Sequence, residues 1–495
     1  MSELKAESRG EFRFLLKHSS VYGIGNLLSK AVGFILLPLY TRYLTPTDYG
    51  ILELIDVTAG MIGIVIGLGV AEAVSRFYYE PASIKERNRV VSTAYWVATV
   101  LTGAGALVAS LFAVPLAGLA LDSSKSAPLL LVSFAALAIG VIVDLGQLNL
   151  RLQYKSVTFN AISILSLILG VTFNVVFIVA FHWGVMGILL SSLLTRIVIG
   201  LPLTIWTLTR TGLGLDWGLA KQMVRFGAPL VPSSLASTLV NYSDRYFIKT
   251  FASIADAGIW GLANKMGTSI HMLVTSPFIM TFLPRRFEIV KRPDAQETFA
   301  RVGEYFFLSI TTVGLFVVLF VDEILRLMTT PGFYSAGALV PWIVLSMVLF
   351  GMKYHFEFGI LYAKKTHHYA VINMATAVLH VVLNLILVRA YGVFGAALAA
   401  VGTVAFNTVA VYVAGQRLYP IPFDFGRQFR VAGIATVLFF TSRFVHLPAL
   451  SLTIVFKGAL FLAFPALLFL TRSVSTEDIR RFWGAIKYRL GQGRT

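Results

Sequence analysis

The chain has 495 residues, 57% of them hydrophobic and 13% charged, with a formal net charge of +17. A soluble domain carries about 25% charged residues, so this composition excludes a water-soluble globule of such length. The absence of Cys excludes disulfides, thiolate metal sites and cysteine nucleophiles, and the dispersal of the basic residues between apolar segments argues against nucleic-acid binding.

Long apolar runs, such as Val97 to Leu121, Leu129 to Val143 and Val378 to Val388, have the length of helix that a hydrocarbon core about 30 Å thick demands. Hydropathy, turn residues and charge clusters together predict about fourteen spans. They lie near 17–40, 50–75, 90–118, 128–149, 158–181, 185–207, 223–248, 257–283, 301–321, 337–361, 369–389, 394–416, 430–446 and 452–471. No short apolar stretch with a small-residue cleavage site opens the chain, so no removable signal peptide is expected.

The basic residues orient these spans. The N-terminal tail has Lys5, Arg9, Arg13 and Lys17, and the even-numbered loops hold clusters such as Lys85, Arg87 and Arg89, or Arg285, Arg286, Lys291 and Arg292. Odd-numbered loops hold near-singletons: Arg42, Lys125, Lys249, Arg326, Arg389 and Arg443. Positive charge favours the cytoplasmic side, so both termini are expected there. The C-terminal segment from Ser475 begins with a capping-box-like Ser-x-x-Asp and continues as a basic, aromatic helix suited to an anionic lipid surface.

Two pairs of short motifs suggest an internal repeat. Asp48-Tyr49-Gly50 opens the second span and Asp256-Ala257-Gly258 the eighth; Gly184-Val185-Met186-Gly187 opens the sixth and Gly392-Val393-Phe394-Gly395 the twelfth. Members of each pair stand the same 208 residues apart. The expected fold is therefore an all-α polytopic membrane protein: two six-helix pseudo-repeats forming a V-shaped central cavity, plus two C-terminal helices. The expected organisation is a bundle over 1–215, a second over 216–425, two added helices over 426–472 and a basic amphipathic cytoplasmic tail over 473–495.

Charges at bilayer depth are costly and usually face a cavity or a partner. Lys30, Arg196, Arg245, Lys265 and Lys353, with Asp244, are candidate substrate-binding residues, the cations suited to a phosphate or pyrophosphate. Asp56, Asp144 and Glu357 are candidate ion-coupling carboxylates. Structural pairings compete with these roles: Lys353 with Glu357 and Glu72 with Arg76 stand at i,i+4, and Arg245 has Asp244 beside it. Pro229 and Pro232 mark a candidate bend in the seventh span. There is no Gly-x-x-x-x-Gly-Lys phosphate loop and no His-Glu-x-x-His metal motif, so neither an ATPase nor another enzyme is expected, and no cofactor.

The run Ser29-Lys30-Ala31-Val32-Gly33-Phe34, then Pro38-Leu39-Tyr40-Thr41-Arg42-Tyr43-Leu44 and Tyr49-Gly50, resembles the start of the polysaccharide-transporter (Wzx-like) flippases. Asn241-Tyr242-Ser243-Asp244-Arg245-Tyr246-Phe247-Ile248, followed by Ala257-Gly258-Ile259-Trp260 and Ala263-Asn264-Lys265, resembles their seventh and eighth spans. The resemblance covers nearly the whole chain, within the superfamily that also holds MATE exporters and MurJ-type lipid II flippases. It implies a flippase that moves undecaprenyl-pyrophosphate-linked oligosaccharide to the periplasmic leaflet by alternating access, for O-antigen, exopolysaccharide or capsule assembly. It also implies membrane lipids, a coupling ion (H+ or Na+) and polysaccharide polymerases as partners. Lys30 and Lys265 stand where MurJ-like proteins carry Arg, keeping the charge without the planar fork, which favours the Wzx-like assignment. The alternatives are a MATE-like exporter of small cations, which a cationic cleft would repel, and a lipid II flippase. A membrane glycosyl polymerase is opposed by the short outer loops.

Overall fold

In the computed structural model of the chain, the structure describes residues 34, 36–445 and 447–474. Lys30, the Ser29–Phe34 run except its last residue, the first part of the span expected over 17–40, and the expected tail helix from Ser475 lie outside the described residues. Within them the chain is helical and ten helices are long and apolar enough to cross a membrane, so the protein is a multi-pass membrane protein.

Among the described residues ten candidate spans stand in place of the fourteen expected, and the V-shaped two-repeat arrangement is not borne out. The physical reasons are local. The segment expected as the seventh span is broken into Trp217–Gly227, a tight turn at Ala228–Leu230, Val231–Tyr242 and Asp244–Phe251. None of these pieces reaches the length of a bilayer crossing. The two spans foreseen at 369–389 and 394–416 belong to one 53-residue segment, Thr366–Leu418, interrupted at Gly392 with φ 57° and ψ −139°. Phe425–Phe444 carries Arg427, Gln428, Arg430 and Arg443 and is not among the ten.

Polar caps set the helix starts. Thr45 and Asp48 form a capping box, with the Asp48 amide donating to Thr45 Oγ1 at 3.2 Å and the Thr45 amide to Asp48 Oδ2 at 2.9 Å. Pro46 fills the first position of that helix, Pro46–Gly67, where an amide hydrogen has no partner to lose. Ser83, Asp216 and Asp424 cap three further helices.

The chain divides into two compact units, residues 1–261 with 328–333, and residues 262–327 with 334–495. In the first, small residues let helices approach, as van der Waals packing in a bilayer favours. Gly146 lies against Leu203 and the Tyr95 hydroxyl, and Gly200 against Val143. The Pro46–Gly67 helix ends at Leu68 and Gly69, both left-handed at φ 44° and 63°, and restarts as Val70–Phe77. This break lies on Gly227: a Cβ on Gly69 would come within 2.9 Å of the Gly227 Cα, and a Cβ on Gly227 would overlap the Leu68 carbonyl oxygen. Two discontinuous helices thus touch at their interruptions.

A second close approach joins the two motifs that read as a repeat. A Cβ on Gly50 would overlap the Ile254 carbonyl oxygen, and one on Gly258 the Pro46 carbonyl oxygen. Gly258→Ala should therefore cost about 1–3 kcal/mol by overpacking. Thermal unfolding in detergent checks this; a melting temperature equal to wild type would refute the close approach.

In the second unit, Phe299, Phe358 and Tyr419 form an aromatic cluster, with Phe299 and Phe358 centroids 4.5 Å apart. Three interhelical ion pairs tie the last two helices to Ala295–Met328: Arg427 with Glu304 at 2.7 Å, Arg443 with Asp322 at 2.6 Å and Lys457 with Glu323 at 2.7 Å.

Candidate functional site

In the first unit, the Asp244-Arg245 pair read from the sequence sits at the start of a short helix and is almost fully buried. Arg245 Nε donates to Glu53 Oε2 at 3.0 Å and its Nη1 to Asp244 Oδ1 at 2.9 Å. The Trp260 indole donates to the other Asp244 oxygen at 2.8 Å, and the guanidinium lies 5.1 Å from the Tyr242 ring. Gly261 makes room for Glu53, since a Cβ there would come within 2.7 Å of three of its atoms. Two carboxylates therefore hold one guanidinium, which satisfies the cost of burying the charge by direct hydrogen bonding. Next to this group the Thr58 and Tyr246 hydroxyls share a 2.6 Å hydrogen bond.

The other candidates of this unit are Arg196, Asp144 and Asp56. Arg196 lies against Gly140, where a Cβ would overlap its Nη1, and is within electrostatic reach of the exposed Asp144. Asp56 is exposed on the Pro46–Gly67 helix, near Tyr40. A cavity of about 810 Å³ opens beside Met61, Ile66, Val108, Phe112, Leu119 and Leu235; the side chains that line it are apolar, so it offers space for hydrocarbon.

In the second unit, Glu357 takes Arg286 as its ion-pair partner, at 3.6 Å, in place of the Lys353 that i,i+4 spacing suggests. Arg286 also donates to the Tyr354 carbonyl at 2.9 Å and lies 5.7 Å from the Phe358 ring. Lys353 is half-buried, its Nζ 5.4 Å from the Phe350 ring centre and 5.1 Å from that of Tyr369, a cation held by aromatic faces. Among the described residues no carboxylate lies within ion-pair distance of it. Lys265 is half-buried on Ile254–Ile270. Buried His355 lies among the rings of Phe278, Phe282 and Phe306.

Sequence reading missed three of these functional partners. Arg286 was expected in an inner loop; helix continues to Ile289 and buries it. Glu53 is separated from Arg245 by 192 positions and Glu323 from Lys457 by 134, so no local spacing points to either pairing. Glu72 and Arg76 do not pair: Arg76 bonds Glu80 at 2.7 Å. The only sequence signal for Lys457 is a lone charge in the apolar stretch Leu450–Leu470. No cluster of His, Asp or Glu suited to a metal occurs among the described residues.

Solved structures of membrane proteins share this fold. The structure titled lipid II flippase MurJ, inward closed conformation, superposes with a TM-score of 0.73 at 12% identity, over 90% of this chain and 98% of that one. An inward-facing multidrug resistance MATE family transporter of the MOP superfamily gives 0.59 at 17% identity, over 78% and 94%. The chain belongs to the polysaccharide biosynthesis protein family, whose model matches residues 15–290. A protein of Haemophilus influenzae described as an uncharacterized membrane protein is 37% identical over 93 residues, 19% of this chain. The match spans 23% of that relative's length.

Proposed function

We propose that the chain is a flippase carrying undecaprenyl-pyrophosphate-linked oligosaccharide units from the cytoplasmic to the periplasmic leaflet of a bacterial inner membrane, with both termini cytoplasmic. The observation that carries this reading is the family match over residues 15–290. Lys353 supports it locally: its nearby carboxylate is engaged by Arg286, which leaves a half-buried ammonium to meet an anion. In this reading Lys265 and Lys353 of the second unit, and separately Lys30 and Arg196 of the first, are the cations offered to a pyrophosphate. Asp244 and Arg245 shape the wall, and Asp56, Asp144 and Glu357 exchange the coupling H+ or Na+. The apolar cavity suits a prenyl tail. Polymerases that extend the sugar take over the product.

Reconstitution in liposomes with a fluorescent undecaprenyl-pyrophosphate oligosaccharide tests the reading. Wild type should translocate it, and Lys265→Ala and Lys353→Ala should each lower the rate about tenfold or more, the loss of one hydrogen bond to a charged group. Unchanged rates in both variants would remove these residues from the site. Efflux of organic cations without lipid movement would replace the flippase by an exporter.

A further inference from the structure

We propose that Arg151, Lys155 and Arg210, gathered at one end of three helices of the first unit, bind the phosphate headgroup of an anionic membrane phospholipid. Arg151 lies in the last turn of Ala127–Leu152 and Arg210 in the last turn of Gly184–Thr211, while Lys155 immediately precedes Ser156–Val175. The fold brings two of these cations onto one ring. Lys155 Nζ is 4.9 Å and Arg210 Cζ 4.5 Å from the centre of Trp206, and Arg151 Cζ is 5.7 Å from that of Phe159. The sharp turn at Tyr154, φ 55°, delivers Lys155 to this position.

Among the described residues, none of the three cations makes an ion pair with a carboxylate. That is unlike Arg245, Arg286, Arg427, Arg443 and Lys457, each of which has one. Like charges so placed repel, and an anion between them removes the repulsion. Desolvation, with Arg210 adding to it, holds the Lys155 ammonium below the usual lysine range, the direction that an anion beside it would reverse.

The surroundings select an amphiphile over a free ion. Val157, Ile164, Leu165 and Ile168 are exposed along Ser156–Val175, forming an apolar stripe that begins next to Lys155. Leu201 and Ile205, 60% and 62% exposed, continue it on Gly184–Thr211 up to Trp206. A headgroup held by the three cations would lay its acyl chains along this stripe. Trp at the boundary of apolar and polar surface is the usual interfacial anchor. The positive-inside rule puts this end at the cytoplasmic leaflet, whose anionic lipids attract basic clusters.

The test uses the full-length protein in detergent micelles, with thermal stability recorded as phosphatidylglycerol or phosphatidylcholine is added. Phosphatidylglycerol should raise the melting temperature saturably and phosphatidylcholine should not. In R151Q/K155Q/R210Q the half-saturating concentration should rise about fivefold per charge removed, roughly a hundredfold in all. The charge-conserving R151K/K155R/R210K should stay within about threefold of wild type. Equal saturation in the charge-removed variant would overturn the proposal, as would equal stabilisation by phosphatidylcholine. Stabilisation by inorganic pyrophosphate at the same concentrations would make the site one for free anions and overturn it too. Should the charge-removed variant not fold, wild type decides alone: phosphatidylglycerol binding must weaken as salt rises from about 0.05 to 0.5 M, and salt-independence refutes the proposal.

Discussion

Replacing Arg245 by Ala should destabilise the protein by about 3–5 kcal/mol, the cost of leaving a buried ion pair with one partner missing. Two carboxylates, Glu53 and Asp244, depend on this guanidinium, and its side chain is 5% exposed. Removing it leaves Asp244 with the Trp260 indole and strips Glu53 of its charged partner. Arg245→Lys should fall between wild type and Ala, because a point charge cannot bond Glu53 and Asp244 with the same planar fork. Thermal unfolding of the purified variants measures this. Adding Glu53→Gln to Arg245→Ala should recover part of the loss, since one uncompensated charge is gone. An Arg245→Ala variant that melts with wild type would show that the triad does not hold the fold together.

The second large effect is expected at Lys457. Its ammonium donates to both oxygens of Glu323, at 2.7 and 2.9 Å, and the two side chains are 7% and 12% exposed. Lys457→Ala should cost about 3–5 kcal/mol, and Lys457→Met with Glu323→Leu should cost far less or even stabilise, because well-packed apolar groups of like volume often replace a buried pair. If single and double variants were equally damaged, the side-chain volume and not the charge would be what matters there.

The sequence made some of this legible. Asp244 and Arg245 stand out because adjacent charges within apolar surroundings are rare, and Lys353 because it is the one Lys or Arg in the span expected over 337–361. Their partners were harder to see. Glu53 meets Arg245 across 192 positions of chain, and Arg286 takes Glu357 across 71, so only tertiary packing pairs them. The i,i+4 rule offered Lys353 to Glu357, but a local spacing gives opportunity for contact without deciding it against a better placed guanidinium. The overcount of spans has a related cause. Hydropathy averages over windows and does not register where the backbone leaves the helix, as it does at Leu68–Gly69 and at Ala228–Leu230 inside segments read as single spans. What it reads well is whether a segment tolerates lipid, and so the multi-pass class was legible from composition.

The glycines at 50 and 258 have a genetic consequence. The nearest atom each faces is a backbone carbonyl oxygen of the other's helix, from Ile254 and from Pro46, and trimming the Ile254 side chain, which also lies close to Gly50, would leave that carbonyl in place. A defect caused by enlarging either residue should therefore have no intragenic suppressor at the contacted positions, since every amino acid there presents the same carbonyl. Revertants of a Gly258 variant should be true revertants to Gly, or changes elsewhere that stabilise the whole chain.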